Sequence, residues 1–117
     1  MLSIFGKEIQ LYTQPMDMRR GIDGLLMIVT SHFRDETHLE SLYLFINRRL
    51  DKIKILYWDL NGFCLWHKRL EKDTFKVHFD SKGKTCLLTA AELRWLLDGL
   101  DYTKTQGHKN LNYETFF

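Results

Sequence analysis

The sequence predicts an α+β domain, a small antiparallel sheet of three to five strands packed with two main helices. Three observations carry this reading. Segments of alternating or continuous apolar residues cluster between Leu42 and Phe79, as strands do. Stretches with apolar residues three and four apart lie on either side of that cluster. The second of these stretches opens with Thr89-Ala90-Ala91-Glu92, the pattern of a helix capping box. Strands gathered between two helices make an α+β domain. The chain has 117 residues, 44% of them hydrophobic and 27% charged, which suffices for one core without a disulfide or metal staple. The domain is expected over residues 1–101, with 102–117 as a C-terminal tail.

Taken in order, Lys7 to Thr13 alternates, with Ile9 and Leu11 on one face and Glu8, Gln10 and Tyr12 on the other, as in a strand. The chain's single proline, Pro15, ends it, and Asp17 is placed to cap a helix. That helix carries its apolar stripe on Met18, Ile22, Leu25, Leu26, Val29 and Phe33. Gly21 and Gly24 would each cost it up to about 1 kcal/mol relative to alanine, which a closely packed neighbouring backbone would explain. Leu42 to Ile46 is a strand, followed by the loop Asn47-Arg48-Arg49-Leu50-Asp51. Lys52 to Trp58 alternates, setting Ile53, Ile55 and Tyr57 opposite Lys54, Leu56 and Trp58. Asp59-Leu60-Asn61-Gly62 has the preferences of a type I turn closed by a left-handed glycine. Phe63 to Leu70 returns as the next strand of an antiparallel meander, and Phe75 to Phe79 reads as a further strand. Ser81-Lys82-Gly83-Lys84 is a turn. The last helix buries Leu93, Trp95, Leu96 and Leu97 and ends near Gly99.

The longest apolar runs are five residues, so no segment spans a bilayer as a helix. Lys7 and Glu8 interrupt the N-terminus before a signal-type apolar run develops, so no secretory signal is expected. Cys64 and Cys86 make neither a disulfide framework nor a zinc-ligand cluster, and a reducing cytoplasm is the simpler setting. The net charge of +2 hides an asymmetry: residues 41–86 carry ten Lys/Arg against five Asp/Glu, whereas both flanks are mildly acidic. A basic middle favours an anionic partner.

No enzyme constellation is present. The sequence has no glycine-rich phosphate loop, no Cys-x-x-Cys and no His-Glu-x-x-His, and its five histidines are scattered. Asp17, Asp23, Asp59, Asp98 and Asp101 fall at helix or turn ends, where capping accounts for them. No catalytic residue, metal or cofactor is assigned, and the protein is expected not to be an enzyme.

The basic hairpin is more informative. Arg48, Arg49, Lys52 and Lys54 are followed across the turn by Lys68 and Arg69, with Tyr57, Trp58 and Trp66 interleaved. Guanidinium groups grip phosphate in two-pronged fashion, and exposed aromatic faces stack on unpaired bases or anchor a partner protein. A structural use competes with this: lysines on sheet edges deter aggregation, and the aromatics would then face a helix. Arg19 and Arg20, placed in the first helical turn, oppose the macrodipole there. An Arg20–Asp23 pair at three-residue spacing, or an external anion, would answer them.

These residues also resemble a known family. Asp17-Met18-Arg19-Arg20-Gly21-Ile22-Asp23-Gly24-Leu25 is similar to the leading signature of the second-reading-frame accessory protein (TnpB type) of the insertion-sequence-sixty-six class of bacterial transposons. Leu44-Phe45-Ile46-Asn47-Arg48-Arg49, Lys54-Ile55-Leu56-Tyr57-Trp58-Asp59, Gly62-Phe63-Cys64-Leu65-Trp66 and Lys68-Arg69-Leu70-Glu71 resemble its further blocks in the same order. Leu96-Leu97-Asp98-Gly99-Leu100-Asp101 resembles its closing helix motif, so the likeness runs from about Lys7 to Asp101. Arg20 stands where lysine is common, Leu26-Met27 replaces smaller residues, and His67 often corresponds to tyrosine. The RNA-guided nuclease that shares the TnpB name is a different, much longer protein.

The resemblance implies an accessory role in transposition, with strand transfer left to a separate transposase. Two readings follow. In the first, Arg48, Arg49, Lys52, Lys54, Lys68 and Arg69 touch the phosphates of transposon-end DNA, and Arg19 and Arg20 extend that surface. In the second, the chain binds the transposase or another transposon-encoded protein without touching DNA, with Trp58, Trp66 and the arginines as anchors. Salt separates them, because phosphate contacts weaken steeply with ionic strength and an aromatic-centred protein interface does not.

Overall fold

The computed structural model describes residues 6–32, 40–80 and 85–101. Five strands form one sheet: β1 (Glu8–Pro15), β2 (Ser41–Ile46), β3 (Lys52–Asp59), β4 (Gly62–Arg69) and β5 (Thr85–Leu88). Two helices, α1 (Ile22–His32) and α2 (Ala90–Leu97), complete the α+β fold that the sequence predicts. The strand order is β4-β3-β2-β1-β5. The β2-β3-β4 meander is antiparallel as expected, and β5 runs antiparallel to β1. The sheet as a whole is mixed, however, because β1 and β2 are parallel, with Ile9 opposite Leu42 and Leu11 opposite Leu44. A helix lies between these two strands in sequence, and a crossover of that kind returns the chain parallel to its start.

Side chains alternate across the sheet. Leu42, Leu44 and Ile46 of β2 join Ile53, Ile55 and Tyr57 of β3 in one buried cluster, closed by Leu93 and Leu96 of α2. Tyr43, Phe45 and Leu56 face the other way and join Tyr12, Met16, and Leu25 and Val29 of α1. Each helix therefore covers one face of the sheet.

Three local expectations are corrected. Among the described residues Phe75 to Phe79 pairs with no strand, although Phe75 and Val77 are buried in the cluster with α2 and the Phe75 amide donates to the Leu50 carbonyl (2.6 Å). The alternation there records burial on one side, not ladder pairing. The α1 helix begins at Ile22 and not after Asp17, because Asp17 to Arg20 forms a separate turn closed by the Arg20 amide on the Asp17 carbonyl (3.2 Å). Arg19 and Arg20 thus precede the helix. No backbone packs on Gly21 or Gly24; a methyl group at Gly24 would meet the Arg20 side chain at 3.4 Å. At the β3-β4 loop the left-handed residue is Leu60, with φ 55°, and not Gly62.

The expected capping box is present: the Glu92 amide donates to Thr89 Oγ1 (3.1 Å) and the Thr89 amide to Glu92 Oε1 (2.8 Å). The helix is stopped just beyond Leu97 by Gly99, whose φ of 83° suits glycine. There the Gly99 amide reaches the Leu96 carbonyl and the Leu100 amide the Trp95 carbonyl, the paired bonds of a Schellman motif. Phe33, the Ser81–Lys84 turn and the 102–117 tail lie outside the described residues.

Candidate nucleic-acid interface

Parallel pairing brings the carboxyl ends of β1 and β2 out at the same end of the sheet. The segment after β1 is tied to the end of β2 by the Met16 amide, which donates to the Ile46 carbonyl (2.9 Å). The Asp17–Arg20 turn and the Asn47–Asp51 loop therefore lie side by side. Between them is a shallow cleft of about 330 Å³, wide open to solvent, whose cationic lining is Arg19, Arg48, Arg49 and Lys52.

The loop is held by Asn47. Its Oδ1 accepts from the amides of Asp51 (3.1 Å) and Lys52 (3.0 Å), and its Nδ2 donates to Asp51 Oδ1 (2.6 Å). That last bond, more than the nearby charges of Lys52 and Arg49, holds the Asp51 carboxyl below the usual range. The loop also rests on the chain behind it, since the Leu70 amide donates to the Asp51 carbonyl (2.8 Å). Arg48 and Arg49 project from this base, exposed, and neither they nor Lys52 form a salt bridge among the described residues.

The neighbouring turn is held from below by Lys54. This lysine is only 9% exposed, and its Nζ donates to the carbonyls of Met18 (2.6 Å) and Arg20 (2.9 Å). Those bonds keep residues 18–20 out of the helix and set Arg19 against the loop. Arg19 is paired with Asp17, its Nη2 2.7 Å from Asp17 Oδ2 and its Nε 3.0 Å from Oδ1, and the expected Arg20–Asp23 salt bridge is not formed among the described residues. The Arg19–Asp17 pairing, with the Arg19 amide, keeps the Asp17 carboxylate ionised far below the usual range. Arg20 is exposed and lies along Gly24 at the foot of α1.

The remaining residues marked in the sequence are placed elsewhere. Lys68 sits on the opposite face of the sheet, where its Nζ donates to the Leu97 carbonyl at the end of α2 (2.8 Å). Arg69 lies across the strand pair from Lys52 and is paired with Glu71 (2.8 Å). Exposed His67 stands opposite Lys54; desolvation first, then the charges of Lys54, Lys52 and Arg69, disfavours its protonated form. Tyr57 is buried in the cluster under α2, with no ring face open, and burial raises its phenol pKa. Trp66 is half-buried against the same cluster. Trp58 meets Phe63 edge to face, with centroids 5.0 Å apart, and its carbonyl accepts from Lys7 Nζ.

Met16, Asp17, Met18 and Asn47 line the cleft without having been singled out for it by the charge pattern. The asparagine opening the loop after a strand was the one local signal available. Among the described residues no three His, Cys, Asp or Glu side chains converge on a metal-sized site, and no helix is long and apolar enough to cross a membrane.

Residues 7–107 match the family described as IS66 Orf2 like protein, a match that runs past Asp101. Two relatives come from Sinorhizobium fredii. The uncharacterized protein y4jC is 32% identical over 101 residues, covering 86% of each chain. The uncharacterized protein y4hO is 28% identical over 103 residues, covering 86% of this chain and 89% of its own. No solved structure matches.

Proposed function

We infer a function from the premise that this chain belongs to the IS66 Orf2-like family: it is a non-enzymatic accessory factor in transposition that assists the transposase by holding transposon-end DNA. The observation that carries the DNA contact is the cleft in which Arg48, Arg49 and Lys52, unpaired among the described residues, meet beside Arg19. Unpaired guanidinium groups on a rigid loop suit phosphate oxygens, and such contacts position a protein on DNA without reading its sequence. Arg20 and Arg69 flank this surface, whereas Lys54 and Lys68 act on the protein's own carbonyls. The setting is the bacterial cytoplasm, and the expected partners are the transposase and other transposon-encoded proteins.

The test is anisotropy of a labelled duplex carrying the element's end sequence, titrated with this protein over a salt series beside a scrambled duplex. Binding should weaken with salt, and the Arg48→Ala/Arg49→Ala pair should flatten the log–log slope by about 1.8, at about 0.9 per phosphate contact. An unchanged slope would remove this loop from the interface. Absence of binding at low salt would instead favour the interaction module that recognises the transposase alone.

A further inference from the structure

The cleft is not uniformly cationic. Its two sides differ in chemistry, and the difference bears on which form of DNA it takes.

On the loop side stand Arg48, Arg49 and Lys52, which form no salt bridge among the described residues. On the turn side stand Arg19 and the half-buried Met18, over the buried Met16. Arg19 is a poor phosphate ligand in this arrangement. Its Nε and Nη2 are spent on both oxygens of Asp17, which answers its charge and fixes the guanidinium plane. Its side chain is nevertheless 90% exposed, so the flat face of the group is open. A guanidinium plane of this kind stacks on nucleobases, and thioethers make favourable contacts with aromatic rings. Lys54, beneath the turn, keeps this platform beside the loop.

A phosphate-only site would gain nothing from a neutralised arginine, a carboxylate and a part-exposed methionine. A duplex exposes its phosphates and buries its base faces, so it could use only the loop side. An unpaired nucleotide presents both parts together. The geometry points to the cleft as a site for an unpaired nucleotide at a DNA strand end, its phosphate on Arg48, Arg49 and Lys52 and its base against the Arg19 plane and the Met18 thioether. This rests on the DNA-holding function inferred above and specifies the form of DNA held there.

Three DNAs separate the ideas: a blunt duplex, the same duplex with a short single-stranded overhang, and that overhang with abasic residues, which keep the phosphates and lack the bases. The full chain should bind the natural overhang about tenfold more tightly than the blunt end, in the range of base stacking on a protein side chain. The abasic overhang should lose that advantage while keeping the salt slope. Arg19→Lys retains the charge and the surface position but removes the plane, and should likewise abolish the preference with the slope unchanged. Equal affinity for natural and abasic overhangs, or for overhang and blunt end, would overturn the assignment while leaving phosphate binding in place. Failure to bind any of the three at low salt would overturn the DNA-holding function itself.

Discussion

The two faces of the sheet come from the same strands and end differently. Under α2, Leu42, Leu44, Ile46, Ile53 and Ile55 form an aliphatic layer, all fully buried. Lys68 reaches past that layer to the end of α2. Under α1 the layer is aromatic at its centre, with Tyr12, Tyr43 and Phe45, and turns polar toward the carboxyl ends of β1 and β2. There Lys52 stands opposite Arg69 and Lys54 opposite His67. One face is sealed to its margin, whereas the other carries positive charge up to the cleft. The contrast separates the aliphatic scaffold from the face that carries the proposed DNA surface.

The contrast breaks most visibly in the sealed layer. Leu44→Ala removes a fully buried side chain and leaves a cavity between β2 and α2. The expected loss is about 2–5 kcal/mol, measured by urea unfolding. Folded protein below the transition should keep its DNA salt slope. A changed slope would mean that the two faces are not separate in function.

Two lysines of the same hairpin sharpen the comparison further. Lys54→Met leaves the Met18 and Arg20 carbonyls without their donor and releases the turn that carries Arg19. About 2–3 kcal/mol of stability should go, since hydrogen bonds to charged groups are the stronger kind. The preference for unpaired ends should go with it. Lys68→Met removes a single bond at the end of α2, costs about 1 kcal/mol and should leave DNA binding untouched. If the two variants lost binding equally, net charge and not position would govern it.

The local parts of this arrangement were legible in the sequence. The capping box lies within four consecutive residues, and the alternation of Lys52 to Trp58 already set Lys54 apart from Ile53 and Ile55. The gathering of Arg48, Arg49 and Lys52 in one hairpin was equally visible. What the sequence could not display was the pairing of β1 with β2, since parallel register depends on contacts some thirty residues apart in the chain, such as Ile9 with Leu42. That pairing is what brings Arg19 to the loop. It also accounts for the different uses of the basic residues: by charge alone Lys54 and Lys68 resemble Arg48, yet their ammonium groups meet backbone carbonyls.

The smallest effect concerns two leucines that share a backbone conformation at the two ends of β3. Leu50 in the Asn47–Asp51 loop has φ 64°, and Leu60 between β3 and β4 has φ 55°. Both lie in the left-handed region, which costs a residue with a Cβ about 1–2 kcal/mol. Leu50 is packed against the cluster under α2, and its carbonyl accepts from Phe75. Leu60 is 88% exposed, with nothing in the described fold to offset the strain. Leu60→Gly should therefore raise stability by about 0.5–1 kcal/mol, the relief being partly cancelled by the greater freedom of glycine in the unfolded chain. Leu50→Gly should lower stability, because it gives up packing as well as strain. Thermal melts of the two variants would show opposite signs. A fall for Leu60→Gly would mean that its side chain supports the β3-β4 hairpin in a way its exposure conceals.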